Sequence, residues 1–163
     1  MSMNEAFLGE LDYEAISARK ILERVPTEKF DWKPHEKSMT MGQLANHVAD
    51  IIAWYAVTLE TDELDFAAGY NPPKPDNTTD LVALFDKNLA RANESLKKSS
   101  AENFGQMWTL RNGEQIIFSM PKTAALRTFV VNHLVHHRGQ LSLYLRLNDI
   151  PVQSIYGPSA DEQ

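Results

Sequence analysis

Two histidines four residues apart, His133 and His137, stand in the run Asn132-His133-Leu134-Val135-His136-His137-Arg138-Gly139-Gln140. The surrounding stretch is patterned as one long apolar-striped helix. On a helix, that spacing puts both rings on one face, one turn apart. At ~100° per residue they lie only ~40° apart around the axis. A third imidazole, His47, falls on a different predicted helix, between Leu44 and Ile51. Imidazoles facing the middle of a helical protein are costly to bury without partners. A single divalent metal ion is a partner that would satisfy all three. Three neutral imidazoles leave a coordination position open to water or substrate, which is the catalytic pattern rather than the closed structural one. The chain has no cysteine, so thiolate ligands, disulfides and a cysteine nucleophile are excluded.

Other residues near these positions carry more than one reading. His136 points ~100° away from His137 and reads as lying outside the ligand set. Pairing His133 with His136 instead is geometrically open, but it leaves the apolar stripe. The bland alternative for any one histidine is a satisfied core residue. The pair also lacks the glutamate beside the first histidine that marks zinc proteases. Asp50, three residues after His47, reads equally as a ligand or imidazole-orienting group and as a solvated helix-face carboxylate. Trp54 would wall a pocket or fill the core. His35, beside Pro34, reads as a surface turn residue. Gly139 costs a helix roughly 1 kcal/mol relative to Ala, which points to close packing against another helix or a second subunit.

Four helices must position these groups. Leu8, Leu11, Ala15, Ala18, Leu22 and Val25 form the stripe of the first, from Asn4 to Val25, which Pro26 stops. Thr40-Met41-Gly42-Gln43 has capping-box spacing and opens the second, with Leu44, Val48, Ile51, Ile52 and Tyr55 inward and an end near Glu60. Gly69 to Asn77, rich in proline, reads as a stiff extended crossover. The third helix starts at Thr78 or Thr79 and ends at Lys97-Lys98, where positive charge suits the dipole. Asn112-Gly113 between two apolar runs is a hairpin signal. Pro121 opens the fourth helix, which runs to about Asn148. The tail, Ser154 to Pro158, is irregular and is expected to pack on the helices. The expectation is a single all-α domain over residues 1–163, a four-helix bundle with a small irregular or hairpin insertion before the last helix.

Of 163 residues, 43% are hydrophobic and 23% charged, with a net charge of -6. The acidic balance argues against nucleic acid and against an anionic membrane surface as partners. No signal peptide or membrane-spanning run is visible, and a cytoplasmic location is the expectation.

The segments Leu44-Ala45-Asn46-His47-Val48-Ala49-Asp50 and Asn132-His133 through Gln140-Leu141, followed by Asn148-Asp149-Ile150-Pro151 and Ser154-Ile155-Tyr156-Gly157-Pro158, resemble the DinB (damage-inducible protein) family. It is part of the wider DinB/YfiT-like superfamily, regarded as metalloenzymes. The likeness covers nearly the whole chain, and HxxxHRGQ is its specific part. It implies an up-down-down-up four-helix bundle, a homodimer, and a divalent metal, zinc or nickel, on His47, His133 and His137. Some relatives are thiol-S-transferases that use a low-molecular-weight thiol such as bacillithiol or mycothiol, and one branch resembles maleylpyruvate isomerases. The family name records DNA-damage induction, not DNA binding.

The first functional expectation is therefore an enzyme whose metal lowers the pKa of an incoming thiol, which then attacks a small electrophile. Hydrolysis with metal-activated water is its close variant, with Asp50 or His136 as candidate proton relays. A non-catalytic metal- or ligand-binding stress protein is the alternative, and a fourth protein ligand would favour it.

Overall fold

Ser2 caps the first helix through a reciprocal pair: its Oγ accepts from Glu5 N at 3.2 Å, and its own N–H donates to the Glu5 carboxylate at 2.7 Å. The computed structural model describes residues 2–162. Helix α1 spans Met3–Glu23 and buries Phe7, Leu11, Ala15, Ala18 and Leu22 along one face. Thr40 and Gln43 form the same box at the start of α2, Met41–Ile51. Behind that cap, a Cβ on Gly42 would stand 2.8 Å from Phe30 Cδ2 and 3.0 Å from its Cβ, so only glycine fits there.

The expected second helix is two. Ala53 N bonds back to Asp50 O at 2.8 Å, a tightened i→i−3 contact, and α3 resumes over Trp54–Glu60. Neither proline nor glycine marks this break. Helix α4, Thr78–Lys98, is capped by Asn77 and ends on Lys97 and Lys98. After the short α5, Ala101–Gly105, the chain enters strands β2, Met107–Asn112, and β3, Gln115–Pro121. Buried Lys122 then donates to Leu59 O at 3.2 Å and Asn103 Oδ1 at 2.9 Å, tying α3 to α5. The last helical rod is composite: α6, Lys122–Ala125, a π-helical stretch Leu126–Val131, and α7, Asn132–Arg146. Such i→i+5 stretches recur at functional sites, and this one ends two residues before His133.

The expected all-α class needs correcting. The protein is mostly helical, but a three-stranded sheet is present, in which β2 lies between β3 and a short strand β1, Glu63–Asp65. The hairpin signal is realised with Asn112 paired to Gln115, so the loop is Gly113–Glu114, with Gly113 at φ +61°. Strand β1 pairs parallel with Thr109–Arg111 and lies between the expected end of the second helix near Glu60 and the link at Gly69, where no element was expected.

One apolar cluster joins α1, α2, α3, α4 and the last rod, with α1 against α4 and α2 against α7. A smaller one, around Trp108, Leu110 and Ala125, seats the sheet. The C-terminal tail packs on the helices, with Val152 and Gln153 buried. Among the described residues no helix is long and apolar enough to cross a membrane.

Candidate metal centre

Helix α2 delivers His47, and α7 delivers His133 and His137. One ring nitrogen from each of the three lies within 4.8 Å of the others. Ring centroids are 4.9 Å apart for His47 and His133, and 4.6 Å for the other two pairs. His47 Nε2 and His133 Nε2 stand 3.2 Å apart. Two imidazoles bound ~2.0–2.1 Å from one tetrahedral ion place their nitrogens about 3.3 Å apart, so this pair has the spacing a shared cation requires.

The rings are oriented from behind. His137 Nδ1 meets Gln140 Oε1 at 2.7 Å, and with Nδ1 as the donor Nε2 keeps its lone pair. The Phe129 backbone, one helical turn earlier, favours the protonated form of His133. Trp54 packs against His47 and His133 at 5.8 and 5.5 Å and stacks on Phe129 at 4.4 Å, giving the pair an aromatic wall. Trp54 is thus both buried and against the site.

Electrostatics keep the three rings neutral. Burial, then the neighbouring His137 and His133, push His47 down to about 4. Burial is also the largest cause lowering His133 and His137; the Phe129 backbone and the Gln140 hydrogen bond oppose it. Neutral imidazoles are the form that ligates a metal. Unfolded, these side chains protonate near 6.5. Between that value and the lower folded ones, the unfolded chain holds more protons, so folding weakens as pH falls. Metal-free protein should therefore melt at progressively lower temperature from pH 6.5 toward 4, more steeply than its His47→Asn variant. Equal slopes for the two proteins would contradict the assignment.

Asp50, a possible ligand on sequence grounds, is outside the imidazole cluster. Its carboxylate accepts from the Tyr70 hydroxyl, which in turn accepts from Trp54 Nε1 at 2.5 Å. Burial raises its pKa. His136 is exposed and touches only the edge of the cluster, 4.8 Å from His137 between ring centroids. His35 is exposed, as its loop position suggested. Among the described residues nothing lies within 4 Å of a Cβ built on Gly139, so none of the described helices packs closely there.

A cleft of about 500 Å³ opens beside His47, walled by Gln43, Asn46 and Asp50 of α2 and by the strap at 72–74. The strap is pinned twice, by Tyr70 to Asp50 and by Asn46 Nδ2 to Pro75 O at 2.9 Å. Sequence reasoning missed Tyr70 and Gln140. The available signals were a lone aromatic in a proline-rich link and an amide three residues past His137. Among the described residues, no fourth His, Asp or Glu joins the cluster.

Fold and site together define a mostly helical protein with a three-imidazole centre at a cleft. The chain belongs to the DinB family, whose model matches residues 1–163. The protein YrdA of Bacillus subtilis (strain 168) is 24% identical over 156 residues, spanning 96% of this chain and 89% of its own length. A DinB-like protein from Bacillus cereus ATCC 10987 superposes with a TM-score of 0.71 at 22% identity, covering 93% of this chain and 97% of that one. The DinB-like protein YjoA of Bacillus subtilis gives 0.68 at 16% identity, covering 95% and 98%. At these identities the likeness is one of fold.

Proposed function

We propose that this protein is a metal-dependent enzyme with zinc or nickel on His47, His133 and His137, acting as a thiol-S-transferase on small electrophiles. The observation that carries the reading is a set of three neutral imidazoles, with no fourth ligand among the described residues, beside a cleft. A bound divalent ion supplies Lewis acidity that lowers the pKa of a thiol at the open position. Gln140 holds the His137 imidazole in the ligating tautomer. Trp54 and Phe129 keep water from that side of the rings. The chain has no cysteine, so the nucleophilic sulfur must come with the co-substrate.

The test is metal-loaded protein with a panel of low-molecular-weight thiols and a chlorinated nitroarene. An S–C bond forms, the C–Cl bond breaks, chloride leaves and the thiol proton passes to buffer. Thioether should appear well above the uncatalysed rate and vanish after chelation. No turnover with any thiol would reject the transferase reading. Hydrolysis is the alternative, favoured by the carboxylate of Asp50 in the same cleft, and turnover of an ester panel would select it.

We also read the four helical rods as the up-down-down-up bundle of the family, supported by α1 packing on α4 and α2 on α7. A homodimer is proposed as well. Tyr13 and Ile16 of α1, Leu143 of α7 and Leu147 just past its end, all more than half exposed, support it.

A further inference from the structure

Asn46 and Asp50 are four residues apart on α2, hence on one face, and both line the cleft that reaches His47. Asn46 Nδ2 donates to Pro75 O, which fixes the amide with Oδ1 as a free acceptor. That oxygen is buried and has no donor among the described residues. The Asp50 carboxylate, also buried, is contacted by Tyr70 and Trp54 but by no cation. A buried amide oxygen without a donor beside a buried carboxylate without a basic partner is a costly arrangement unless a cationic donor arrives. A primary ammonium group supplies the N–H donor that Asn46 Oδ1 lacks and the positive charge that the Asp50 carboxylate lacks. Lys74, on the strap, is the cation that lines the same cleft.

We propose that Asn46 Oδ1 and the Asp50 carboxylate form an ammonium-binding site beside the three imidazoles, so that the thiol this protein takes is a small aminothiol, with Lys74 meeting its carboxylate. The inference rests on the thiol reading above and narrows it to one class. The sulfur sits toward the imidazoles, the ammonium on α2 and the carboxylate at the strap. Tyr70 is a positioning residue here: its hydroxyl holds Asp50 and anchors the strap in one contact.

The experiment uses the full chain loaded with cobalt(II) and follows thiolate-to-cobalt absorption while four thiols are titrated. Cysteine carries amine and carboxylate, cysteamine the amine, 3-mercaptopropionate the carboxylate, and 2-mercaptoethanol neither. Cysteine and cysteamine should bind at least about tenfold tighter than 2-mercaptoethanol. Asp50→Asn should erase that preference while leaving cobalt content and 2-mercaptoethanol affinity unchanged. Asn46→Ser, which leaves the Asp50–Tyr70 contact in place, should weaken it too and serves if Asp50→Asn is unstable. Lys74→Gln should lower the advantage of cysteine over cysteamine alone. An amine preference that survives both α2 variants reports chelation of the ion by the amine and overturns the ammonium site. Equal affinity for all four thiols overturns it while leaving the thiol reading intact. Absence of any thiol signal in cobalt-loaded wild type overturns both.

Discussion

The His133→Ala variant is expected to bind its divalent ion at least about a hundredfold more weakly than the parent, by competition against a chromogenic chelator. His133 stands 3.2 Å from His47 between Nε2 atoms and 4.6 Å from His137 between ring centroids. Structural four-ligand sites bind zinc with roughly 10–16 kcal/mol, so one ligand carries on the order of 3 kcal/mol, about two decades in affinity. His47→Ala and His137→Ala should behave alike. The control is His136→Ala, whose ring is exposed outside the cluster, and its affinity should stay within about threefold of the parent's. Undiminished affinity in the His133 variant, or a loss at position 136 as large as at 133, would remove the proposed ligand set.

The largest stability effect is expected at Arg138, directly after His137. Its guanidinium is 1% exposed and pairs with Glu14 Oε2 at 2.6 Å. It also donates to Glu14 O at 3.1 Å, to Ser17 Oγ, and to the Tyr156 hydroxyl at 2.5 Å. Tyr156 donates in turn to the Glu14 carboxylate at 2.9 Å. The network ties α7, α1 and the C-terminal tail together. Arg138→Met would leave the Glu14 carboxylate buried without its cation, at about 3–5 kcal/mol. For a chain of this size that is a fall in Tm of roughly 6–20 °C. Adding Glu14→Leu should recover much of the loss, because the stranded charge goes with it. A single-variant Tm within about 2 °C of the parent's would show that the pair contributes little.

The difference between these two sites explains what was legible in the sequence. Helical stripes are local: Leu11, Ala15, Ala18 and Leu22 repeat at the helical period, and all are buried. The i, i+4 pair His133 and His137 is equally local. His47 was recognisable because its apolar neighbours placed it on an inward face, although its convergence with α7 is a tertiary fact. Arg138 finds its partner Glu14 across 124 residues, and no spacing rule joins them. Asp50 meets Tyr70, twenty residues on, at the head of a proline-rich strap whose composition suggested only a link. The π-helical stretch and the break before α3 carry no Gly or Pro, so the backbone pattern changed with no side-chain mark. Strand β1 is three residues long and pairs with residues more than forty positions away, beyond any local periodicity.

Anomalous diffraction from crystals of the metal-loaded protein, collected on both sides of the metal's absorption edge, bears on the central claim most directly. The account predicts one peak per chain, about 2.0–2.1 Å from a ring nitrogen of each of His47, His133 and His137, with a non-protein ligand completing the coordination. A peak elsewhere, or fully loaded protein with no peak between those three rings, would contradict it.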